Sequence, residues 1–196
     1  MPYRDYESLS LAESAIICVD VQQGFDRERW GERNNPDAER HIAELLAAWR
    51  AAGHPVIHVR HDSTEPDSPL RPGRSGNEFK PAGEPEPGEP VVGKRVNSAF
   101  IGTELEALLR ERGVRRPVFV GFTTDHCVST SVRMAENLGF EPYVVSDATA
   151  TFDRELGGTR YAAEQNHRLA LAQLADEFAT VVETATLLAA LAERKA

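Results

Sequence analysis

Short apolar runs alternate along the chain with stretches in which apolar residues recur every three or four positions. The runs at 15–19, 55–59, 91–92, 117–120, 142–145 and 180–182 have strand character. Helical patterns occupy 36–52, 104–112, 127–138 and 161–178, and a terminal helix is predicted from Thr186. Thr103 stands at a helix start with Glu106 three residues on, the spacing of a capping box, and Gly139 closes the helix that opens at Cys127. Six strand runs joined by helical crossovers predict an α/β fold, a mainly parallel six-stranded sheet with helices on both faces.

Residues 61–90 break this rhythm. They carry seven prolines and several glycines with neither hydrophobic period, which is long for a loop inside a compact domain. Because the strand pattern resumes beyond it, this stretch is read as a lid or a subunit-contact loop within a single domain spanning 1–196. A chain of 196 residues that is 41% hydrophobic can bury one sizeable core. Its net charge of −9 repels phosphate backbones and anionic membrane surfaces, so neither nucleic acid nor lipid is expected as a partner. The N-terminal Met1-Pro2-Tyr3-Arg4-Asp5-Tyr6-Glu7 is polar, and no apolar run approaches the roughly 20 residues needed to span a bilayer. Two cysteines in unlike contexts, Cys18 in a strand and Cys127 at a helix start, suggest no disulfide framework, and a cytoplasmic location is expected.

Ligands of open parallel sheets bind beyond the carboxyl ends of the strands, and here those ends are rich in reactive side chains. Asp20 follows the first strand, Arg60-His61-Asp62 the second, Lys94-Arg95 the third, and Ser146-Asp147 the fifth. The fourth leads through Gly121-Phe122-Thr123-Thr124-Asp125-His126 to Cys127. Free N–H groups and the helix dipole favour thiolate at such a position, which makes Cys127 the expected nucleophile. Cys18 reads as core.

Three segments carry a resemblance. Asp20-Val21-Gln22-Gln23-Gly24-Phe25, Lys94-Arg95-Val96-Asn97-Ser98-Ala99-Phe100 and Gly121-Phe122-Thr123-Thr124-Asp125-His126-Cys127-Val128, in this order and spacing, resemble the isochorismatase-like cysteine hydrolases. The resemblance implies a three-layer Rossmann-like fold, a homodimer or homotetramer, and a triad of Asp20, Lys94 and Cys127. It also implies a cis peptide at Phe122–Thr123 that aims the Thr123 and Cys127 N–H groups at one oxyanion. Isochorismatase itself, which cleaves a vinyl ether, lacks the cysteine. Cys127 therefore points to hydrolysis of an amide or ureide C–N bond in a small molecule, releasing ammonia or an amine. Gln22, Phe25, Trp30, Arg60, His61, Ser98, Phe100 and Phe122 are expected to line the substrate pocket, with the aromatic faces packing a small planar group.

Other readings compete. Nicotinamidase-like members of the family hold a divalent metal through an Asp-x-His motif and a later His. Here the second strand offers His58 and His61, which point to opposite faces of an extended strand, so neither metal nor other cofactor is expected. Cys127 followed five residues later by Arg133 has the spacing of a phosphatase loop, but Val128-Ser129-Thr130-Ser131-Val132 contains no glycine and reads as helix. A non-catalytic or redox-sensing role for Cys127 on the same fold is a further alternative. His167, on a polar helical stretch, is expected at the surface.

Overall fold

The computed structural model describes residues 9–193. The N-terminal segment Met1 to Glu7 and the outer ends of the single-domain assignment lie outside the described residues. Six parallel strands form the sheet: β1 (Ser14–Val19), β2 (Val56–His61), β3 (Val91–Lys94), β4 (Arg116–Phe122), β5 (Tyr143–Ala150) and β8 (Thr180–Val182). Their order is β3-β2-β1-β4-β5-β8, the doubly wound, Rossmann-like arrangement. Helices cover both faces, as expected. On one side lie α1 (Ala38–Ala51) and α5 (Thr184–Glu193); on the other lie α2 (Leu105–Glu111), α3 (Ser129–Asn137) and α4 (Ala163–Leu174).

The sequence accounts for this layering. Every residue of β1 is buried, and its side chains alternate between two cores, Ile16 and Cys18 toward α1, Ala15, Ile17 and Val19 toward α2 and α3. Helix α1 presents Ala38, Ile42, Leu45, Leu46 and Trp49 as one buried stripe at helical spacing. Each large member of that stripe contributes about 1.5–3 kcal/mol relative to exposure. Cys18 is core, as read, and burial pushes its thiol far above the usual range.

Two expectations are corrected. The long helix expected over 161–178 is shorter, α4 running from Ala163 to Leu174, and ahead of it, where no element was read, lies an antiparallel hairpin, β6 (Arg154–Leu156) and β7 (Thr159–Tyr161). Gly157 and Gly158, at φ 59° and 79°, form its two-residue turn, a conformation open mainly to glycine. At α2 only half of the capping box forms: Thr103 Oγ1 accepts the Leu105 N–H at 3.3 Å while donating to Ala99 O, but Glu106 turns to Arg110 instead of back to the cap. Residues 61–90 are built into the molecule by short 3₁₀ turns at Ser75–Asn77 and Pro81–Gly83 and by a bridge between Gln22 and Phe79. Among the described residues no helix is long and apolar enough to cross a membrane.

Glu89 ties the far end of that segment to the sheet. Its carboxylate accepts from Arg50 Nε at 2.7 Å and meets the buried His58 Nε2 at 2.8 Å. Although burial opposes it, these partners hold the Glu89 carboxyl down at about 2. A carboxyl depressed in the folded state stabilises above its ordinary pKa near 4.5, and that stability is lost as pH falls toward 2. Glu89→Gln should therefore cost about 1–2 kcal/mol at pH 7, after allowance for solvent screening, and the loss should shrink at pH 3. Urea unfolding at both pH values measures this.

Gly121 sits where β4 and β5 shift register, at φ +114°, and a β-carbon there would lie 2.0 Å from Val19 O in the adjacent strand. Neither backbone can retreat without breaking the ladder. Gly121→Ala should destabilise the protein by about 3 kcal/mol, read in the same unfolding experiment.

Candidate active site

The strand order reverses between β1 and β4, and the reactive residues gather at that crevice. Asp20 leaves β1 in a left-handed turn at φ 52°, a conformation that aspartate tolerates better than most residues. Lys94 ends β3 directly opposite His61 in β2, so the two side chains lie on one face. Cys127 lies within a single π-helical turn, Thr124–Val128, that leads into α3. The Phe122–Thr123 peptide ahead of it is cis, as the resemblance implied.

These groups meet in a largely buried cluster. Asp20 and Lys94 are 0% and 1% exposed and Cys127 is 8% exposed. Lys94 Nζ donates to Cys127 Sγ at 3.2 Å, to His61 Nδ1 at 3.0 Å and to Val96 O at 3.1 Å. Asp20 Oδ2 lies 2.8 Å from the same nitrogen, an ion pair between two fully buried side chains, and after burial the Asp20 charge is the largest influence on the ammonium. A buried carboxylate beside a thiol is a base in waiting. Cys127 Sγ also lies 3.7 Å from Asn97 Oδ1.

The sulfur opens onto a cavity of about 420 Å³. Of the residues expected to line it, Phe25, Trp30 and His61 do, along with Thr123 and Cys127. Phe25 and Trp30 pack ring to ring at 5.3 Å. Gln22, Arg60, Ser98, Phe100 and Phe122 do not line it. Gln22 is buried and clamps the His61 backbone, accepting from its N–H and donating to its carbonyl. Arg60 pairs with Asp62, Ser98 bonds the Phe100 N–H, Phe100 stacks on Phe140, and Phe122 packs behind Phe25.

Sequence reasoning missed Ser63, Asn97, His126 and Arg154 in the wall. Asn97 and His126 lie inside quoted motifs, but nothing in their spacing separated them from their neighbours. Arg154 was hidden by the unrecognised hairpin; it holds Asp125 through two hydrogen bonds of 2.8 and 3.1 Å. His167 is not at the surface: it is buried, its Nδ1 lies 2.8 Å from Thr124 Oγ1, and burial holds it below the ordinary histidine range. It props the turn that carries Cys127.

A family model described as the isochorismatase domain matches residues 14–186. The chain belongs to the isochorismatase family. The family protein YrdC of Bacillus subtilis is 45% identical over 177 residues, covering 90% of this chain and 95% of its own. A solved isochorismatase-family structure from Chromobacterium violaceum superposes with a TM-score of 0.90 at 46% identity, covering 98% of this chain and all of the other. Ureidoacrylate amidohydrolase RutB of Variovorax paradoxus is 28% identical, covering 77% of this chain and 72% of its own.

His58 and His61 do face opposite sides of β2: His58 pairs with Glu89, His61 with Lys94. Asp20, His61 and Cys127 each offer one metal-ligating atom, all within 4.8 Å of one another. The Lys94 ammonium, however, lies within 3.2 Å of all three residues, so a cation already occupies the centre and a dication does not fit beside it.

The thiol's state departs from the helix-start argument. Burial, and after it the Asp20 charge, push Cys127 far above the ordinary thiol range, and the opposing pull of Lys94 is smaller. Replacing Asp20 by Asn should lower the thiol pKa and speed alkylation of Cys127 by iodoacetamide at pH 8, whereas Lys94→Met should slow it; each change should be about tenfold per pKa unit. Mass-spectrometric alkylation rates, with Cys127→Ala as the blank, test both signs.

Proposed function

We propose that this protein is a cysteine-dependent hydrolase of small-molecule amide or ureide C–N bonds, acting through a thioester acyl-enzyme. The observation that carries this reading is the buried contact of the Asp20 carboxylate, the Lys94 ammonium and the Cys127 thiol at the floor of the cavity.

Attack begins as the Cys127 proton passes to Asp20 and the sulfur bonds to the substrate carbonyl carbon, placing the C=O electron pair on oxygen. The backbone N–H groups of Thr123 and Cys127 are the donors assigned to that oxyanion, each worth on the order of 3 kcal/mol. Collapse breaks the C–N bond as Asp20 returns the proton to nitrogen, and the amine or ammonia leaves. Asp20 then takes a proton from water, whose oxygen adds to the thioester carbon. Release of the acid restores the thiol. Lys94 keeps its three protons throughout; burial works against its charge, but Asp20 and Cys127 outweigh burial and hold its pKa above the ordinary value.

Three features support an amide substrate over the alternatives. A cavity floored by a thiol and walled by Phe25 and Trp30 suits a small planar acyl group, and RutB, a relative, is named as an amidohydrolase. Redox sensors need a low-pKa thiol, whereas burial and the Asp20 charge push Cys127 the other way. For a phosphatase loop, Arg133 would have to face the nucleophile, but it stacks on Phe178 at 4.3 Å, and the residues after Val128 are helical.

Ammonia release from a panel of small amides, ureides and carbamoyl acids tests the proposal. Wild-type protein should turn over at least one class, and Cys127→Ala and Asp20→Asn should each lose about 10³-fold or more in kcat/KM while remaining folded. Equal release by wild type and Cys127→Ala would sink it. A trapped acyl adduct on Cys127, seen by mass, distinguishes nucleophilic from general-base use of the sulfur.

A further inference from the structure

Asn97 brings an uncommitted amide to the sulfur. Its Oδ1 lies 3.7 Å from Cys127 Sγ, and among the described residues its side chain makes no other hydrogen bond. Asn97 is exposed and lines the cavity together with His61, Thr123 and Cys127. Other polar groups of that wall are already committed: His61 Nδ1 meets Lys94 Nζ, and Arg154 holds Asp125.

The segment that carries Asn97 is tied down on both sides. Val96 O accepts from Lys94 Nζ at 3.1 Å, and Ala99 N donates at 2.9 Å to Ser131 Oγ, which in turn donates to Cys127 O. Asn97 therefore keeps its place relative to the sulfur through residues that are themselves fixed at the site. It also approaches from a different flank. Asn97 follows β3, at one edge of the sheet, whereas Thr123 and Cys127 follow β4, across β2 and β1.

We propose that Asn97 is a specificity-determining residue of the hydrolase: its Oδ1 accepts an N–H of the scissile amide, so that the site selects primary amides and ureides over esters of the same acid. This deepens the catalytic reading above and rests on it. With the carbonyl oxygen at the Thr123 and Cys127 N–H groups, the substituent nitrogen is met from the other flank, where an acceptor stands ready. A carboxamide nitrogen carries two N–H groups, and an ester oxygen in the same place carries none. One N–H held by Asn97 leaves the nitrogen's developing lone pair to take the proton from Asp20 as the C–N bond breaks, and ammonia leaves.

The test sets Asn97→Leu, of similar shape without polar atoms, beside Asn97→Gln, which carries the amide one methylene farther out. One arm needs no substrate. Alkylation of Cys127 is followed by mass with iodoacetamide and with methyl iodoacetate, each rate divided by that of glutathione with the same reagent, and Cys127→Ala is the blank. Both reagents carry a carbonyl and differ only in NH2 against OCH3, so contacts to the carbonyl oxygen cancel. Wild type should favour the amide reagent about tenfold, the size of one neutral hydrogen bond. Asn97→Leu should lose that preference and Asn97→Gln should keep part of it. No preference in wild type, or an undiminished one in folded Asn97→Leu, would overturn the proposal. Should Asn97→Leu fail to fold, Asn97→Ala takes its place. In the second arm, Asn97→Leu should lower kcat/KM about tenfold for an amide that wild type hydrolyses, and leave the methyl ester of the same acid within about twofold. An equal fall on amide and ester would mark a merely structural role and overturn the proposal as well. Absence of turnover by wild type would defeat the hydrolase reading, and the alkylation arm would still decide whether Asn97 reads an amide N–H.

Discussion

An ammonium shut away from water organises this molecule. Lys94 is 1% exposed, and the cost of burying its charge is met by groups drawn from four separate places: Asp20 after β1, His61 at the end of β2, the Val96 carbonyl just past β3, and Cys127 beyond β4. Deleting one partner of such a pair leaves an uncompensated buried charge, a loss of about 3–5 kcal/mol. No single loop can supply that set. A parallel sheet can, because every carboxyl end points the same way, and the reversal of strand order between β1 and β4 opens the crevice in which they meet.

Cys127 is held by a second layer just as dense. Ser131 Oγ donates to Cys127 O at 2.6 Å and accepts from Ala99 N, which joins the turn carrying Cys127 to the segment after Lys94. His167 supports Thr124 from α4, and Arg154 and Thr151 bind Asp125 from the end of β5 and the hairpin. Gly121 lets β4 bend close against Val19 just before the turn. The sulfur is thus fixed from several elements at once, and its neighbours were chosen for reach and hydrogen bonding rather than for hydrophobic period.

That division explains how much could be read beforehand. Strand and helix layering follows from alternation in β1 and the stripe on α1, which hydrophobic period reports directly, and reactive residues at strand ends marked the edge where Asp20, Lys94 and Cys127 meet. Pocket walls did not follow. Gln22, Ser98 and Phe100 sit beside triad residues in sequence, yet each side chain turns into the scaffold, because adjacent residues leaving a strand diverge. Ser63, Leu70 and their neighbours came from a proline-rich stretch with no period to read. The hairpin was legible in Gly157-Gly158, a two-residue turn signal, but its three-residue strands are too short to show a period. His167 was misplaced because a polar residue on an amphipathic helix reads as surface unless its buried partner, here Thr124, is known.

The raised thiol pKa gives the arrangement its chemical sense. A helix-start dipole acts on a partial charge and is worth about 1 kcal/mol, whereas burial and a full carboxylate charge act on the sulfur from close range, and they win. A permanently ionised thiolate beside Lys94 would be a weaker nucleophile and open to oxidation between turnovers. Keeping the proton on sulfur until a carbonyl arrives avoids both. It requires a base that is close, and Asp20, paired with Lys94 at 2.8 Å and with a carboxylate oxygen within 4.8 Å of the sulfur, stands in that place.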